Sequence, residues 1–180
     1  MRVITGAAKG RKILTLDGED VRPTGERVKE ALFSIIQFDL EGRSVLDLFA
    51  GSGQLGIEAL SRGAKSAVFV DQNKKAVEAI KNNLTSTQLE KNSIVKNMDS
   101  LSFLMATKDV FDLAFLDPPF NTDLLAKALP LLSERMAAGS IAVCEHPKEM
   151  SLPDKAGNLK CDKEYIYGRT KLTIYRWEEV

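Results

Sequence analysis

Histidine is almost missing from this chain of 180 residues: His146 stands alone, and Cys144 and Cys161 are the only cysteines. With no second histidine and no C-x-x-C spacing, a metal cluster has no ligand set, and no metal is expected. Both cysteines fall in segments that read as buried or half-buried strands, so free structural thiols are expected. Long apolar runs are absent too. None approaches the ~20 residues of a spanning helix, which excludes a membrane role. Behind Met1-Arg2 there is no extended apolar stretch of the kind a secretory signal carries, and a cytoplasmic location is expected. Neither charge is in excess: 25 basic and 25 acidic residues give a formal net charge of zero, so the surface as a whole does not coat nucleic acid.

What is present is the composition of a globular protein, 44% hydrophobic and 28% charged, which excludes a disordered chain. The length suits a single domain over residues 1–180 with a continuous core, and a monomer is expected. Charge is nevertheless uneven. Residues 1–12 hold Arg2, Lys9, Arg11 and Lys12 with no acid, and Arg22, Arg27 and Lys29 follow with Glu26 and Glu30 between them. A basic arm over residues 1–24 facing nucleic acid accounts for this, and so does a solvated basic strand.

From Gly25 the periodicity becomes informative. Val28, Ala31, Leu32, Ile35 and Ile36 recur at helical spacing, predicting an amphipathic helix ending near Asp39. Strands are then expected at 44–49, 66–70, 93–96, 111–116 and 139–144. Helices at 54–62, 73–86, about 100–107 and 122–136 separate them. Short apolar runs joined through helices need crossover connections, so the fold class is α/β: doubly wound, Rossmann-like, with a mainly parallel sheet. Residues 160–167 and 171–177 are strand-like on either side of a tight loop, which adds an antiparallel hairpin and brings the sheet to seven strands. The catalytic core is thus residues 25–180.

The segment Val45-Leu46-Asp47-Leu48-Phe49-Ala50-Gly51-Ser52-Gly53-Gln54-Leu55-Gly56 runs from an apolar strand through glycines into a helix. Gly51 and Gly53 let backbone pass close to a ligand, and Gly56 lets helix and strand approach. This spacing also fits a dinucleotide fingerprint, with Asp71 at the end of the next strand. Asp47 tilts the choice of cofactor. A carboxylate repels a pyrophosphate but welcomes the ammonium and sulfonium of S-adenosylmethionine. Asp71, followed by Gln72, would accept the ribose hydroxyls or cap the next helix; Asp99 would receive an adenine amino group or cap its own helix.

The strand ending at Leu116 delivers Asp117-Pro118-Pro119-Phe120 to the edge where open α/β sheets bind ligands. A purine amine is a poor nucleophile, because its lone pair is delocalised into the ring. Two acceptors, the Asp117 carboxylate and the Pro118 carbonyl, would each take one N–H and turn the lone pair outward. Pro119 stiffens the loop, and Phe120 offers a face for a flipped base. A structural Pro-Pro turn is the plain alternative.

With these residues in view, the chain resembles the RsmD family of bacterial 16S rRNA guanine-N2 methyltransferases over nearly its whole length. The likeness is carried by Arg2–Gly6 with Gly10-Arg11-Lys12, by Arg22-Pro23-Thr24-Gly25-Glu26-Arg27-Val28-Lys29-Glu30-Ala31-Leu32-Phe33, by Asp47–Ala64 and by Asp117–Phe120. Other amino-methyltransferases share the last two motifs, and the Arg22–Phe33 segment is the specific one. The resemblance implies methylation of one guanine, with S-adenosylmethionine as cofactor and 16S rRNA in the 30S subunit or an assembly intermediate as partner. Cofactor contacts are then expected from Asp47, Phe49, Ala50, Gly51, Ser52, Gly53, Gly56, Asp71, Gln72 and Asp99, and chemistry from Asp117, Pro118, Pro119 and Phe120. Arg11, Arg22, Thr24 and Arg27 are the RNA candidates, although Arg27 also suits an ion pair with Glu30. The residues alone leave open an adenine N6 or protein amide methyltransferase, a nicotinamide-dependent oxidoreductase, and a non-catalytic RNA-binding module.

Overall fold

A computed structural model of the chain describes residues 1–16, 25–120 and 122–179. Five helices, α1 (Gly25–Ile35), α2 (Gln54–Ser61), α3 (Lys74–Thr87), α4 (Ser100–Ala106) and α5 (Leu124–Ser133), alternate with strands β1 (Ser44–Asp47), β2 (Ser66–Asp71), β3 (Ser93–Asn97), β4 (Phe111–Leu116) and β5 (Met136–Pro147). Then come β6 (Lys155–Ala156), β7 (Leu159–Tyr167) and β8 (Thr170–Trp177). They form one sheet in the order β3-β2-β1-β4-β5-β8-β7-β6. β1 to β5 are parallel; β8, β7 and β6 are antiparallel to their neighbours.

The sheet has eight strands rather than the seven expected. The extra one, β6, is a two-residue pairing with β7, too short to leave any alternation in the sequence. α1 stops at Ile35, short of Asp39, because the chain turns back with the Asp39 N–H on the Ile36 carbonyl at 2.8 Å. β5 outruns its expected bounds at both ends. Met136 pairs with Phe111, and at the far end β8 pairs as far as Pro147.

Alternation along the strands sorts side chains into two layers. Val45, Ala67, Phe69, Leu113, Phe115, Ile141 and Val143 pack under α1, α2 and α3. Leu46, Val68, Val70, Ala114, Leu116, Ala142 and Cys144 face α4 and α5. The strands β1, β2, β4 and β5 are therefore buried on both faces, which is why each reads as a largely apolar run.

Residues 1–13 fold onto the first layer. Their backbone doubles back through Val3 N–H to Arg11 O at 2.9 Å and Ile13 N–H to Met1 O at 2.8 Å, with Val3, Ala8 and Ile13 buried. Arg2, Lys9, Arg11 and Lys12 remain exposed on the outer side of this small hairpin.

Candidate active site

The strand order reverses direction between β1 and β4, and a crevice opens at their carboxyl ends. Asp47 is in register with Phe115, so Phe49 and Asp117 leave the sheet from adjacent strands, which lie ~4.8 Å apart in such sheets. A cleft of about 890 Å³ lies there. It brings together Asp47, Phe49, Ala50, Gly51, Ser52, Asp71, Gln72 and Asp99 with Asp117, Pro118, Pro119 and Phe120.

The glycine turn is held from below. Gly51 (φ 55°) and Gly53 (φ 82°) occupy left-handed backbone that a β-carbon disfavours. Asp71 Oδ2 accepts the Gly51 N–H at 2.9 Å while Oδ1 accepts the Asn73 N–H at 2.9 Å, so one carboxylate ties the β2 end to the turn after β1. Asn73 caps α3, leaving Asp71 in the cleft wall. Gly53 and Gly56 do not line the cleft. Gly53 starts α2, and a β-carbon on Gly56 would overlap the Phe69 ring, so its role is close helix-to-strand packing.

Asp47 is 1% exposed, and its Oδ2 accepts the Gly56 N–H at 3.0 Å. Burial raises its pKa to about 7; the Gly56 hydrogen bond opposes that rise and the nearby Asp71 charge adds to it. A cation beside this carboxyl favours its ionised form and must offset the cost of ionising it in a buried place. Asp99 caps α4, with Oδ2 accepting the Ser102 N–H at 2.9 Å, and it also reaches the cleft. The cap is therefore formed, and the residue still lines the cleft wall.

The Asp117–Phe120 segment crosses the mouth of the cleft, with Pro118 buried and Pro119 exposed. Thr122 Oγ1 donates to the Pro119 carbonyl at 3.0 Å, which braces the loop before α5.

Three buried polar residues near the site were not singled out in the sequence. Asn83 is fully buried: its Nδ2 donates to the carbonyls of Ser52 and Leu14, both at 2.9 Å, and its Oδ1 accepts the Leu14 N–H at 2.9 Å. It joins α3 and the N-terminal segment to the glycine turn. Glu58 accepts the N–H groups of Ile4 and Thr5 and pairs with Lys29 and Arg62. Burial pushes the Lys29 ammonium below its ordinary range, against the pull of Glu58. A signal existed for Glu58, a lone acid within the apolar run Leu55–Leu60. Lys29 and Asn83 sit among other polar residues and carry none.

Of the RNA candidates, Arg11 and Arg27 lie outside the cleft. Arg11 donates from Nη1 to the Ser86 carbonyl at 2.9 Å near the end of α3. Arg27 is exposed on the far side of α1 and makes no ion pair with Glu30 or another acid among the described residues. Arg22 and Thr24 fall outside the described residues.

The lining also separates the cofactor chemistries. It holds six carboxylates, Glu26, Asp47, Asp71, Asp99, Asp117 and Glu145, against a single lysine, Lys29, and no arginine among the described residues. A pyrophosphate would be repelled there, whereas an ammonium and a sulfonium fit. Asp47 and the backbone of Gly51 and Ser52 would face the amino-acid portion, and Asp71 the ribose. Fold and site together define an S-adenosylmethionine-dependent methyltransferase.

Known proteins agree. A family model described as conserved hypothetical protein 95 matches residues 1–176. The chain is 40% identical over 181 residues to YlbH of Bacillus subtilis, covering 98% of each chain. It is 33% identical over 180 residues to the ribosomal RNA small subunit methyltransferase D of Escherichia coli K12, covering 99% of this chain and 90% of that one. The solved structure of YhhF from Escherichia coli superposes with a TM-score of 0.88 at 34% identity, over 99% and 98% of the two chains. The chain belongs to the RsmD family of rRNA methyltransferases. No helix among the described residues is long and apolar enough to cross a membrane.

Proposed function

We propose that the chain methylates the exocyclic N2 amine of one guanine in 16S rRNA, presented by the 30S subunit or an assembly intermediate, by direct in-line transfer to a flipped base. The observation that carries this reading is the Asp117–Phe120 segment opening into the same cleft as the glycine turn. The name of the Escherichia coli relative supports small-subunit rRNA as the substrate.

When bound, S-adenosylmethionine supplies an electrophilic methyl group on a sulfonium. Asp117 and the Pro118 carbonyl accept the two N–H bonds of the amine, drawing its nitrogen toward tetrahedral geometry and aiming the lone pair. Pro119 keeps both acceptors fixed. Phe120 stacks on the flipped base, which contributes roughly 1–3 kcal/mol on the usual scale for such contacts. Little proton transfer precedes bond formation, so positioning supplies much of the acceleration, up to ~7–11 kcal/mol in favourable cases. Arg11, Arg22, Thr24 and Arg27 are assigned to the RNA backbone.

Incubating the purified protein with tritiated cofactor and undermethylated 30S subunits, then digesting to nucleosides, tests the assignment. Labelled N2-methylguanine is expected. Label in N6-methyladenine or in ribosomal protein would redirect the chemistry to another planar amine.

A further inference from the structure

A second groove, of about 530 Å³, lies across α1 from the cleft. Gly25, Glu26 and Lys29 face the cleft, whereas Arg27, Val28 and Ala31 form one wall of the groove, with Ile166 and Tyr167 on the other. The two depressions share α1 as a partition. With side chains, a helix is ~10–12 Å across, a span that a short stretch of extended RNA covers.

Strand pairing puts the groove on the catalytic edge. Pro147, at the end of β5, pairs with Thr170, the first residue of β8, and Thr170 pairs with Tyr167. Because β5 runs parallel to β4, the Gly168-Arg169 turn projects from the same edge as Asp117. The Lys148 N–H donates to the Arg169 carbonyl at 3.0 Å, fixing this turn to the segment after β5.

The residues there combine positive charge with apolar and aromatic faces. Arg27 and Arg169 come from different elements, and neither has an ion-pair partner among the described residues. Ile166 is 63% exposed, while Tyr167 is half-buried against the core and so presents a fixed aromatic wall. Glu30 is the only acid among the described lining residues, and the exposed Arg169 follows directly on Gly168, the lining residue in the β7–β8 turn. Guanidinium groups beside an aromatic and an aliphatic side chain suit a phosphate and a base face together.

We infer that this groove receives the single-stranded nucleotides flanking the methylated base, with phosphates on Arg27 and Arg169 and a base against Tyr167 and Ile166. The inference rests on the RNA-methyltransferase reading above and adds the path the substrate takes.

Fluorescence anisotropy with a labelled, guanine-containing single-stranded RNA oligonucleotide over a range of salt concentrations tests it. The Arg27→Gln/Arg169→Gln variant should bind more weakly, and the slope of log affinity against log salt should fall by roughly 0.7 for each lost phosphate contact. Arg169→Lys should restore the slope lost in Arg169→Gln, and calorimetry should find S-adenosylmethionine affinity unchanged in all three. Tyr167→Leu should raise KM for 30S subunits while leaving kcat near wild type. An unchanged affinity and slope in the double variant overturns the inference, as does a wild-type protein that binds no RNA. If the variants behave as expected but methyl label appears only in protein, the groove binds RNA and the proposed reaction is the part that fails.

Discussion

The Lys29 ammonium lies 3.2 Å from Glu58 Oε1, with both side chains shielded from solvent. Glu58 also accepts the Ile4 N–H at 2.8 Å and pairs with Arg62 at 3.3 Å, so this one carboxylate fastens the N-terminal hairpin and α1 to α2. Removing one member of a buried pair leaves its partner uncompensated, at about 3–5 kcal/mol. Denaturant unfolding should show a loss of that size for Glu58→Gln. Adding Lys29→Met should recover part of it, and strict additivity of the two changes would show that they are not coupled.

Asp47 gives the cofactor site a pH dependence. Its folded pKa, about 7, lies above the ordinary 3.8, so the folded protein keeps the proton longer than the unfolded chain. Stability attributable to this group therefore falls as pH rises through that window and is level above it. A bound cation favours the carboxylate, so affinity for S-adenosylmethionine should climb between about pH 5.5 and 7 and then flatten. Calorimetry on Asp47→Asn, whose amide oxygen still reaches the Gly56 N–H, should find weaker binding and a flat profile over the same range.

In the proposed reaction Asp117 accepts an N–H of the target amine. Replacing it with Asn keeps the shape but loses a charged acceptor, and losing one such oriented group typically costs ~10²–10³ in kcat. Single-turnover methylation of 30S subunits should slow by that order while cofactor affinity stays close to wild type. Equal rates in the two proteins would remove Asp117 from the mechanism.

Gly56 has a packing role. Its missing side chain lets α2 approach β2 until only the Phe69 ring stands between them. Gly56→Ala should destabilise by about 1–3 kcal/mol through overpacking. Phe69→Leu in the same chain should relieve part of that, since it shortens the obstructing side chain; thermal melts of the single and double variants decide it.

The parallel sheet was legible because each of its central strands is buried on both faces and set between helical segments. The glycine turn and the Asp117–Phe120 segment were legible because each follows such a strand directly, and the strand order then brings them into one cleft. Arrangements that depend on partners distant in sequence were not. Ile4 finds Glu58 and Leu14 finds Asn83 across more than fifty residues, so nothing local marks the N-terminal hairpin as part of the core. The groove beside Tyr167 has the same origin, since only the fold sets the β7–β8 turn beside α1.

The central claim is that Asp117 and Pro118 present a guanine amine for methylation, and nucleoside mass spectrometry of 16S rRNA tests it most directly. Cells lacking this protein should lack one N2-methylguanosine, which returns with the wild-type chain and stays absent with Asp117→Ala. Full N2-methylation in the deleted strain, or its restoration by Asp117→Ala, would contradict the account.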